Sequence, residues 1–246
     1  MRNYIEETAQ RIAFIQKAMA DARADGIIFA NSGGKDAVLV GILCKMACDN
    51  TVGLILPCRA KRNYGEDKDH AELIGQHFDI KHRMIDLTDA AQALIDNISQ
   101  SAPLDQNAAA NIAPRLRMTT LYAVAVTENR LVAGTGNRSE RHVGYFTKFG
   151  DGAFDFNPIA DLTVREVYEF LRHLGAPDFV IDKAPSAGLY DGQTDEAELG
   201  MTYDAIDDYL LFGKVSDADK IIIDRRHSAS EHKRKPPLVY TGSEMV

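Results

Sequence analysis

A short polar turn between an apolar strand and an apolar helix is the feature that most constrains this chain. Residues 26–30 predict a buried strand, and residues 37–46 predict a helix that follows almost at once. The turn between them, Asn31 to Gly34, is small and rich in glycine, so its backbone can approach a ligand closely. The first N–H groups of a helix have no partners inside it, and this arrangement is typical of a phosphate-binding site.

Asp36 lies at the start of the predicted helix, where a bare carboxylate would repel phosphate. A bridging Mg²⁺ would explain its position, because carboxylate oxygens are ligands that suit this ion. An acidic residue also caps ordinary helices, so the segment alone leaves a plain structural turn open. Its spacing matches neither a Walker A loop nor a G-x-G-x-x-G dinucleotide fingerprint.

Composition and charge narrow the class of protein. The 246 residues are 45% hydrophobic and 26% charged, which is typical of a globular chain with a sizeable core. The net charge of −8 argues against a non-specific nucleic-acid binder. No apolar run approaches the roughly 18 residues of a membrane span, and the N-terminus lacks the apolar region of a signal peptide. We therefore expect a cytoplasmic protein that binds neither nucleic acid nor membrane, folded as one domain over residues 1–246.

Segments typical of strands and of helices alternate along the chain. The predicted strands are residues 26–30, 51–56, 80–86 and 130–134, with helices between them. This alternation predicts an α/β fold, a doubly wound parallel sheet flanked by helices on both faces. Right-handed crossovers then bring the loops that follow the strands to one rim, where ligands bind.

The remaining segments predict helices and loops around this sheet. Residues 107–127 predict a helix that its internal proline should kink or split, and residues 135–156 predict a long functional loop. Residues 161–174 predict a helix capped by Asp161. Residues 228–235 are polar and basic, and we expect them to be mobile.

The turn resembles the phosphate-binding loop of the PP-loop ATP pyrophosphatases, Ser-Gly-Gly-x-Asp-Ser. Those enzymes cleave ATP between its α- and β-phosphates. Further matches, in chain order, resemble the ammonia-dependent NAD synthetases of that superfamily. The matching stretches are Asn111 to Met118, Gly134 to Glu140, Gly144 to Gly152, Asn157 to Ile159, Pro185 to Leu189, Gln193 to Glu196 and the pair His232-Lys233.

This resemblance implies an adenylation reaction in a homodimer: ATP activates the carboxylate of deamido-NAD, and ammonia then displaces AMP to give NAD. It implies that Asp36 and Glu140 bind Mg²⁺ and act in catalysis, and that Asp151 lies at the ammonia site. The residues implied to bind ATP are Asn31, Ser32, Gly33, Gly34, Lys35, Asp36, Ala37, Thr135 and Ser186. Those implied to bind deamido-NAD are Arg115, Lys148, Asp155, His232 and Lys233.

The chain departs from the family pattern at three positions. Asn31 replaces the usual Gly, Ala37 replaces the final Ser of the loop, and Val164 stands where a Lys often contacts ATP. Lys35, in the variable position of the loop, could supply positive charge in place of these contacts. We accordingly expect Val164→Lys to improve the affinity for ATP.

Two alternatives stay open beside the synthetase. One is another PP-loop enzyme that forms an amide or modifies tRNA, although the basic surface or zinc-binding cysteine pairs expected of tRNA-modifying members are not in the sequence. The other is a nucleotide-binding sensor without catalysis, which Ala37 and Val164 favour. Glutamine-using relatives carry a separate amidase domain, for which residues 1–25 leave no room, so we expect ammonia to be the direct nitrogen donor.

Overall fold

The computed structural model describes residues 2–60, 63–183 and 194–240. Within them, four parallel strands form one sheet: β1 (Gly26–Ala30), β2 (Thr51–Ile55), β3 (Lys81–Met84) and β4 (Arg130–Val132). Their order across the sheet is β3-β2-β1-β4, so successive strands first extend the sheet to one side of β1 and then to the other. Ile27 in β1 lies opposite Thr51 on one side and Leu131 on the other.

Helices occupy the connections between the strands and the region that follows the sheet. Before β4 these are α1 (Tyr4–Ala22), α2 (Lys35–Ala47), α3 (Glu66–His77), α4 (Thr88–Ser99), α5 (Gln106–Ala110) and α6 (Ile112–Thr127). After β4 they are α7 (Arg138–Val143), α8 (Val164–His173), α9 (Asp178–Ile181), α10 (Asp195–Leu199), α11 (Tyr203–Phe212), α12 (Asp217–Ala229) and α13 (Glu231–Arg234). None of the helices in the described part of the chain is long and apolar enough to cross a membrane.

Helices cover both faces of the sheet, as predicted. Successive side chains of a strand point to opposite faces, so Ile27 and Phe29 pack with α1, α2 and α8, whereas Ile28 packs with α4 and α6. The continuous apolar run of β1 is what a strand buried on both faces requires. A third apolar cluster, beyond the sheet, joins residues of α7, α8, α10, α11 and α12. The doubly wound α/β prediction is confirmed.

The change of strand order between β1 and β4 decides where a ligand can bind. In open α/β sheets the ligand crevice lies outside the carboxyl ends of the strands at such a point. The chain beyond β4 continues beside β1, because Ala133 N donates to Ile28 O at 2.9 Å and Ala133 also bridges to Phe156. The predicted phosphate turn after β1 and the segment after β4 therefore face the same crevice.

Residues 135–156 are not the loop without secondary structure that the sequence predicts, because α7 lies within them. Its start is a capping box in which the side chain of Asn137 accepts from Glu140 N and the side chain of Glu140 accepts from Asn137 N. Gly144 ends the helix with a φ of 70°. A helix of six residues is too short to reveal itself through hydrophobic periodicity.

Helix α8 begins later than predicted, and its cap is Thr163 instead of Asp161. The Thr163 hydroxyl accepts from Glu166 N, and the Glu166 carboxylate accepts from Thr163 N, which completes a second capping box. Asp161 lies outside the helix and pairs with Arg11 at 2.7 Å and with Arg2 at 2.9 Å. Two arginines that are distant in sequence thus determine the position of this carboxylate.

The break predicted within residues 107–127 is confirmed, because α5 ends at Ala110 and α6 begins at Ile112. The stretch 228–235, which is predicted to be mobile, contains the end of α12 and all of α13, and its mobility stays a prediction. Lys233 Nζ there donates to Gly144 O and Phe146 O at 2.9 and 2.8 Å. A basic side chain that the family resemblance assigns to the dinucleotide thus donates to two backbone carbonyls.

Candidate active site

A cavity of about 440 Å³ opens beyond the carboxyl ends of β1, β2 and β4. Its size falls within the range of sites for small molecules. The predicted phosphate turn forms one part of its wall, and α6 with the segment around Asp151 forms another. The predicted site residues that line it are Asn31, Ser32, Gly34, Lys35, Asp36, Ala37, Thr135, Glu140, Asp151 and Lys233.

The turn after β1 has the geometry of an anion-binding loop. Gly33 has a φ of 66°, and a Cβ there would lie 2.6 Å from the backbone oxygen of Asp67, so only glycine fits. Asn31, at 2% exposure, accepts from Gly33 N at 3.3 Å and donates to Ala71 O at 3.2 Å, which braces the turn against α3. Among the described residues no side chain caps α2, and its first N–H groups remain available to a phosphate.

Asn137 forms hydrogen bonds with two acidic side chains that lie on helices following different strands. Its Nδ2 donates to Asp36 Oδ1 at 3.0 Å, and its backbone N donates to Glu140 Oε2 at 3.2 Å. Asp36 lies in the first turn of α2, after β1, and Glu140 lies in α7, after β4. Their side chains are 15% and 17% exposed, so both belong to the cavity wall and remain accessible from it.

The ammonium group of Lys35 lies beside both carboxylates. Its Nζ is 2.8 Å from Asp36 Oδ2 and 3.8 Å from Glu140 Oε1. Burial by itself lowers the pKa of Lys35, but attraction to Asp36 and Glu140 outweighs burial and raises the pKa above the usual lysine value. Burial, and next the negative charge of Asp36, raise the pKa of Glu140 well above the usual carboxyl value. Lys35 is thus the cation that stands beside both acidic side chains.

Asp36 and Glu140 also suit a divalent metal ion. Each carboxylate directs one oxygen toward the same position, where a cation, Lys35 Nζ, already stands. Mg²⁺ is typically bound by one or two carboxylates together with waters and the phosphates of a substrate. In the part of the chain that the structure describes, no three His, Cys, Asp or Glu side chains group as metal ligands. The pair would therefore share the ion with a bound nucleotide.

Asp151 faces the same cavity from the segment that follows α7. Thr147 N donates to Asp151 Oδ1 at 3.0 Å. Desolvation in the cleft raises the pKa of Asp151, although the Thr147 N–H and the charges of Arg117 and Lys233 oppose the rise. Solvent still reaches this side chain through the open cavity, so depth in the cleft, and not enclosure, causes the desolvation. A carboxylate of this kind can accept a proton from a bound substrate.

Four residues predicted to bind the dinucleotide form one connected group, the basic cluster: Arg115, Lys148, His232 and Lys233. Arg115 Nε donates to Lys148 O at 3.3 Å, and Lys148 Nζ donates to His232 O at 2.7 Å. Two aromatic rings accompany the cluster, since Lys148 Nζ lies 5.2 Å from the ring of Phe149 and Lys233 Nζ lies 5.3 Å from that of Phe146. The fold thus brings together residues more than a hundred positions apart in sequence.

Comparison with known proteins identifies the family. The sequence profile described as NAD synthase matches residues 7–237. The chain belongs to the NAD synthase family. It is 43% identical to the NH(3)-dependent NAD(+) synthetase of Carboxydothermus hydrogenoformans, over 96% of this chain and 98% of that protein. It is 41% identical to the protein of the same name from Alkaliphilus metalliredigens, over 92% and 95% of the two chains. The predicted class, a ligase that uses ATP, is confirmed by this membership.

Solved structures show the same fold over their whole length. The structure of NMN synthetase from Francisella tularensis superposes with a TM-score of 0.92 at 35% identity, covering 98% of this chain and 100% of that one. The NH3-dependent NAD synthetase from Campylobacter jejuni superposes with a TM-score of 0.79 at 27% identity, with the same coverage. The PP-loop type of fold expected for a NAD synthase is therefore confirmed.

Asp155 is the predicted dinucleotide contact that stands apart from the basic cluster. Its exposed carboxylate accepts from Tyr122 OH at 3.1 Å and from Val132 N at 2.7 Å, at the edge of the sheet beside β4. It is not among the described residues that line the cavity. Its role in this NAD synthase remains a prediction. Ser186, predicted to contact ATP, lies outside the described residues.

Val164 faces the protein interior, which argues against the expectation that a lysine there would contact ATP. The valine is 4% exposed and packs with Val143, Leu199 and Ile206 in the third apolar cluster. A lysine at this position would bring a charge into apolar surroundings. Ala37, another of the three departures from the expected pattern, lines the cavity but is only 3% exposed.

Sequence analysis assigns no role to Asn137, Asp195 and Tyr203, although the first two lie in stretches that resemble the family. Asp195, at 3% exposure, accepts a hydrogen bond from Tyr203 OH at 3.0 Å, and the Tyr203 ring lies 5.5 Å from Lys35 Nζ. The sequence does carry a signal for Asn137, because Asn-x-x-Glu is a capping box. Tyr203 begins an ordinary helix, and no local pattern relates it to a turn more than 160 positions earlier.

Proposed function

We propose that the protein joins ammonia to the pyridine carboxylate of deamido-NAD, with ATP as co-substrate, and releases NAD, AMP and pyrophosphate. The observation that carries this proposal is the pair Asp36 and Glu140, held by Asn137 beside an uncapped phosphate turn. That arrangement alone would suit several PP-loop enzymes. Similarity to NH(3)-dependent NAD(+) synthetases, at 43% identity over 96% of the chain, supports this particular reaction.

The first step activates the carboxylate, which is a poor acylating agent. A carboxylate oxygen attacks the α-phosphorus of ATP, the bond to the β-phosphate oxygen breaks, and pyrophosphate leaves an acyl-adenylate behind. Backbone N–H groups of the turn and of the start of α2 bind the phosphate oxygens on which negative charge develops. Mg²⁺ bound by Asp36 and Glu140 would neutralise part of that charge. Thr135, which lines the cavity, would contact the nucleotide.

The second step requires neutral ammonia, although ammonium dominates at neutral pH. Asp151 would bind ammonium in the cleft and accept one of its protons. The nitrogen lone pair then attacks the acyl carbon, and AMP leaves with the electrons of the broken C–O bond. The raised pKa of Asp151 suits this role, because a more basic carboxylate is the better proton acceptor.

The basic cluster would bind the anionic substrate. Two negatively charged ligands must enter a protein whose net charge is −8, so positive charge has to be concentrated locally. Arg115 is exposed and presents its guanidinium at the surface of the cluster. The rings of Phe146 and Phe149 beside it suit stacking on a flat base.

The test of this proposal follows three products at once. The protein is incubated with ATP, Mg²⁺, ammonium and deamido-NAD, and equal amounts of AMP, pyrophosphate and NAD are expected. ADP as the spent nucleotide would exclude the mechanism. AMP formation that ignores deamido-NAD but needs another carboxylate or an RNA would indicate another PP-loop enzyme, and ATP binding without turnover would indicate a sensor. Efficient NAD formation from glutamine would contradict the direct use of ammonia.

A second candidate substrate is the mononucleotide, nicotinate mononucleotide, which the same chemistry would convert to NMN. The observation that favours it is the TM-score of 0.92 to a structure named NMN synthetase, against 0.79 to one named NAD synthetase. Both substrates carry the same pyridine carboxylate. The ratio of kcat/KM for the dinucleotide to that for the mononucleotide decides between them, and a ratio below one would favour the mononucleotide.

A homodimer is the assembly that we propose. Large apolar side chains remain exposed on neighbouring elements: Met84 of β3 is 53% exposed, Leu94 of α4 is 40% and Val126 of α6 is 81%. A second copy would cover them. Sedimentation should give a dimer, and Val126→Glu should weaken it. A single domain over residues 1–246 and a cytoplasmic location stay predictions from the sequence.

A further inference from the structure

Lys35 occupies a position that the phosphate-loop pattern does not explain. The pattern leaves this position variable, and the sequence alone assigns the side chain to ATP. In the structure the side chain is 7% exposed, and its ammonium turns toward Asp36 and Glu140, at 2.8 and 3.8 Å. The Tyr203 ring lies 5.5 Å from the same nitrogen and closes one side of its environment. The ammonium of this buried lysine therefore pairs with the two acidic side chains and is separate from the backbone groups that would bind phosphate.

The two carboxylates each have one oxygen held by Asn137. Asp36 Oδ1 accepts from its Nδ2 at 3.0 Å, and Glu140 Oε2 accepts from its backbone N at 3.2 Å. The other two oxygens, Asp36 Oδ2 and Glu140 Oε1, are the ones nearest to Lys35 Nζ. Lys35 Nζ thus lies beside the two carboxylate oxygens that a metal ion would use.

We propose that Lys35 is a built-in counter-ion of the metal-binding pair, which weakens the binding of a free divalent cation to Asp36 and Glu140. The metal then binds well only together with the nucleotide, whose phosphates contribute further ligands and negative charge. This inference rests on the proposed function only in taking Asp36 and Glu140 as the metal-binding pair. It does not depend on which carboxylate substrate is amidated.

Charge counting gives the direction of the effect. The ammonium of Lys35 repels a doubly charged ion at close range, where a partly buried site screens little. Removing the ammonium should therefore tighten the binding of a divalent cation to the nucleotide-free protein, by about tenfold or more. The same removal takes away the counter-ion of the two acidic side chains, so the metal-free protein should become less stable and the bound metal should restore it.

The experiment measures Mn²⁺ binding to nucleotide-free protein by the loss of the free-ion electron paramagnetic resonance signal. Lys35→Gln should bind Mn²⁺ at least tenfold more tightly than the unaltered protein, and Lys35→Arg should not, because it keeps the charge. The matched control is Lys183→Gln. Lys183 also lines the cavity at 7% exposure but pairs with Asp67, at 2.8 Å, and its loss should change the affinity less than twofold.

Several outcomes would overturn the proposal. It fails if Lys35→Gln binds Mn²⁺ no more tightly than the unaltered protein. It also fails if Lys183→Gln tightens binding equally, because that result would mean a general field effect. If Lys35→Gln is unfolded without metal, recovery of its circular dichroism on adding Mn²⁺ supports the proposal, and failure to recover contradicts it. Absence of Mn²⁺ binding by every variant also contradicts it. The Mn²⁺ titration contains no substrate, so its result does not depend on the proposed reaction. A failure of the proposed reaction would show only in the assay of AMP, pyrophosphate and NAD.

Discussion

The side-chain amide of Asn137 donates to Asp36 Oδ1 at 3.0 Å, although 101 positions separate the two residues along the chain. The same asparagine caps α7 by accepting from Glu140 N at 3.0 Å. A single side chain therefore fixes the helix that carries one carboxylate and orients the other carboxylate directly. Partners of this kind commonly matter to a metal site nearly as much as the ligands do.

The first prediction separates these two roles of Asn137. Asn137→Ser keeps a good helix cap but loses the amide that donates to Asp36, so turnover should fall about 10- to 100-fold while the free energy of unfolding falls by less than about 1 kcal/mol. Product formation and urea denaturation measure the two effects. Thr163→Ser, which alters the cap of α8 away from the carboxylates, should leave turnover unchanged. Normal turnover by Asn137→Ser would contradict the orienting role.

The second prediction concerns the carboxylates themselves. Asp36→Ala and Glu140→Ala should each lower kcat by a hundredfold or more, since losing one preorganised electrostatic contact typically costs on the order of 3–4 kcal/mol in the barrier. Asp161→Ala removes an acidic side chain that pairs with Arg11, outside the cavity, and serves as the control for lost charge. Turnover within tenfold of normal in either active-site variant would exclude a metal-binding role for that residue.

The third prediction tests Asp151 as the proton acceptor. Desolvation raises its pKa above the usual aspartate value, so the proton-accepting form should be lost as pH falls through that raised pKa. The rate should decline on this acid side, and Asp151→Asn should abolish the decline together with most of the activity. The pH profile of kcat/KM for ammonium is the measurement. If Asp151→Asn changes neither the profile nor the ammonium dependence, Asp151 takes no part in proton transfer.

The sequence is sufficient to predict the sheet, the phosphate turn of the site, and the residues of the site that the family resemblance indicates. β1 is a continuous apolar run and the glycine turn follows it directly, so strand, turn and helix are encoded within some twenty adjacent residues. The family resemblance then indicates Glu140, Asp151 and the basic cluster. What local sequence cannot give is the partner of each charge. Asp161 is of a residue type that commonly caps a helix, yet its carboxylate pairs with Arg11, because α1 packs against the segment that contains Asp161.

Lys35 and Val164 are two further residues whose surroundings cannot be predicted from local sequence. Lys35, in a phosphate loop, looks like a ligand for phosphate, and only the position of α7 shows that a second carboxylate, that of Glu140, lies beside it. Val164 occupies a position that the family resemblance relates to ATP, and only the packing of α10 and α11 over it shows that the side chain is interior. Both outcomes depend on contacts between segments far apart in sequence, which neither periodicity nor spacing records.

The fourth prediction follows from the burial of Val164. Val164→Lys should lower the free energy of unfolding by about 3 kcal/mol or more, because it places an unpaired charge among apolar side chains. It should not improve the KM for ATP. Val164→Ala, which removes only two methyl groups, should cost about 1–2 kcal/mol and provides the matched control for lost packing. A stable Val164→Lys variant with tighter ATP binding would show that the lysine reaches the cavity after all.

The last prediction concerns the pH dependence of stability and rests on His142, which lies in α7, the helix that carries Glu140. Its ring stacks on that of His227, with centroids 4.2 Å apart, and its Nε2 is buried without a hydrogen-bond partner among the described residues. Desolvation, and next the charge of His227, lower the pKa of His142 to about 4. The other charged or polar groups that face it are Arg234, Arg138, Asp224 and Tyr209.

Because the folded protein resists protonation of His142, the unfolded chain binds this proton more readily. The stability from the neutral ring is therefore fully present above the ordinary histidine pKa of about 6.5 and is lost as pH falls from there toward 4. The loss should be on the order of 1 kcal/mol, since the side chain is only half-buried and solvent screens part of the effect. His142→Phe keeps a ring against His227 but cannot take up a proton. Urea denaturation between pH 7 and pH 4.5 should show the unaltered protein losing more stability than this variant. Parallel curves would mean that His142 titrates in the folded protein as it does in the unfolded chain.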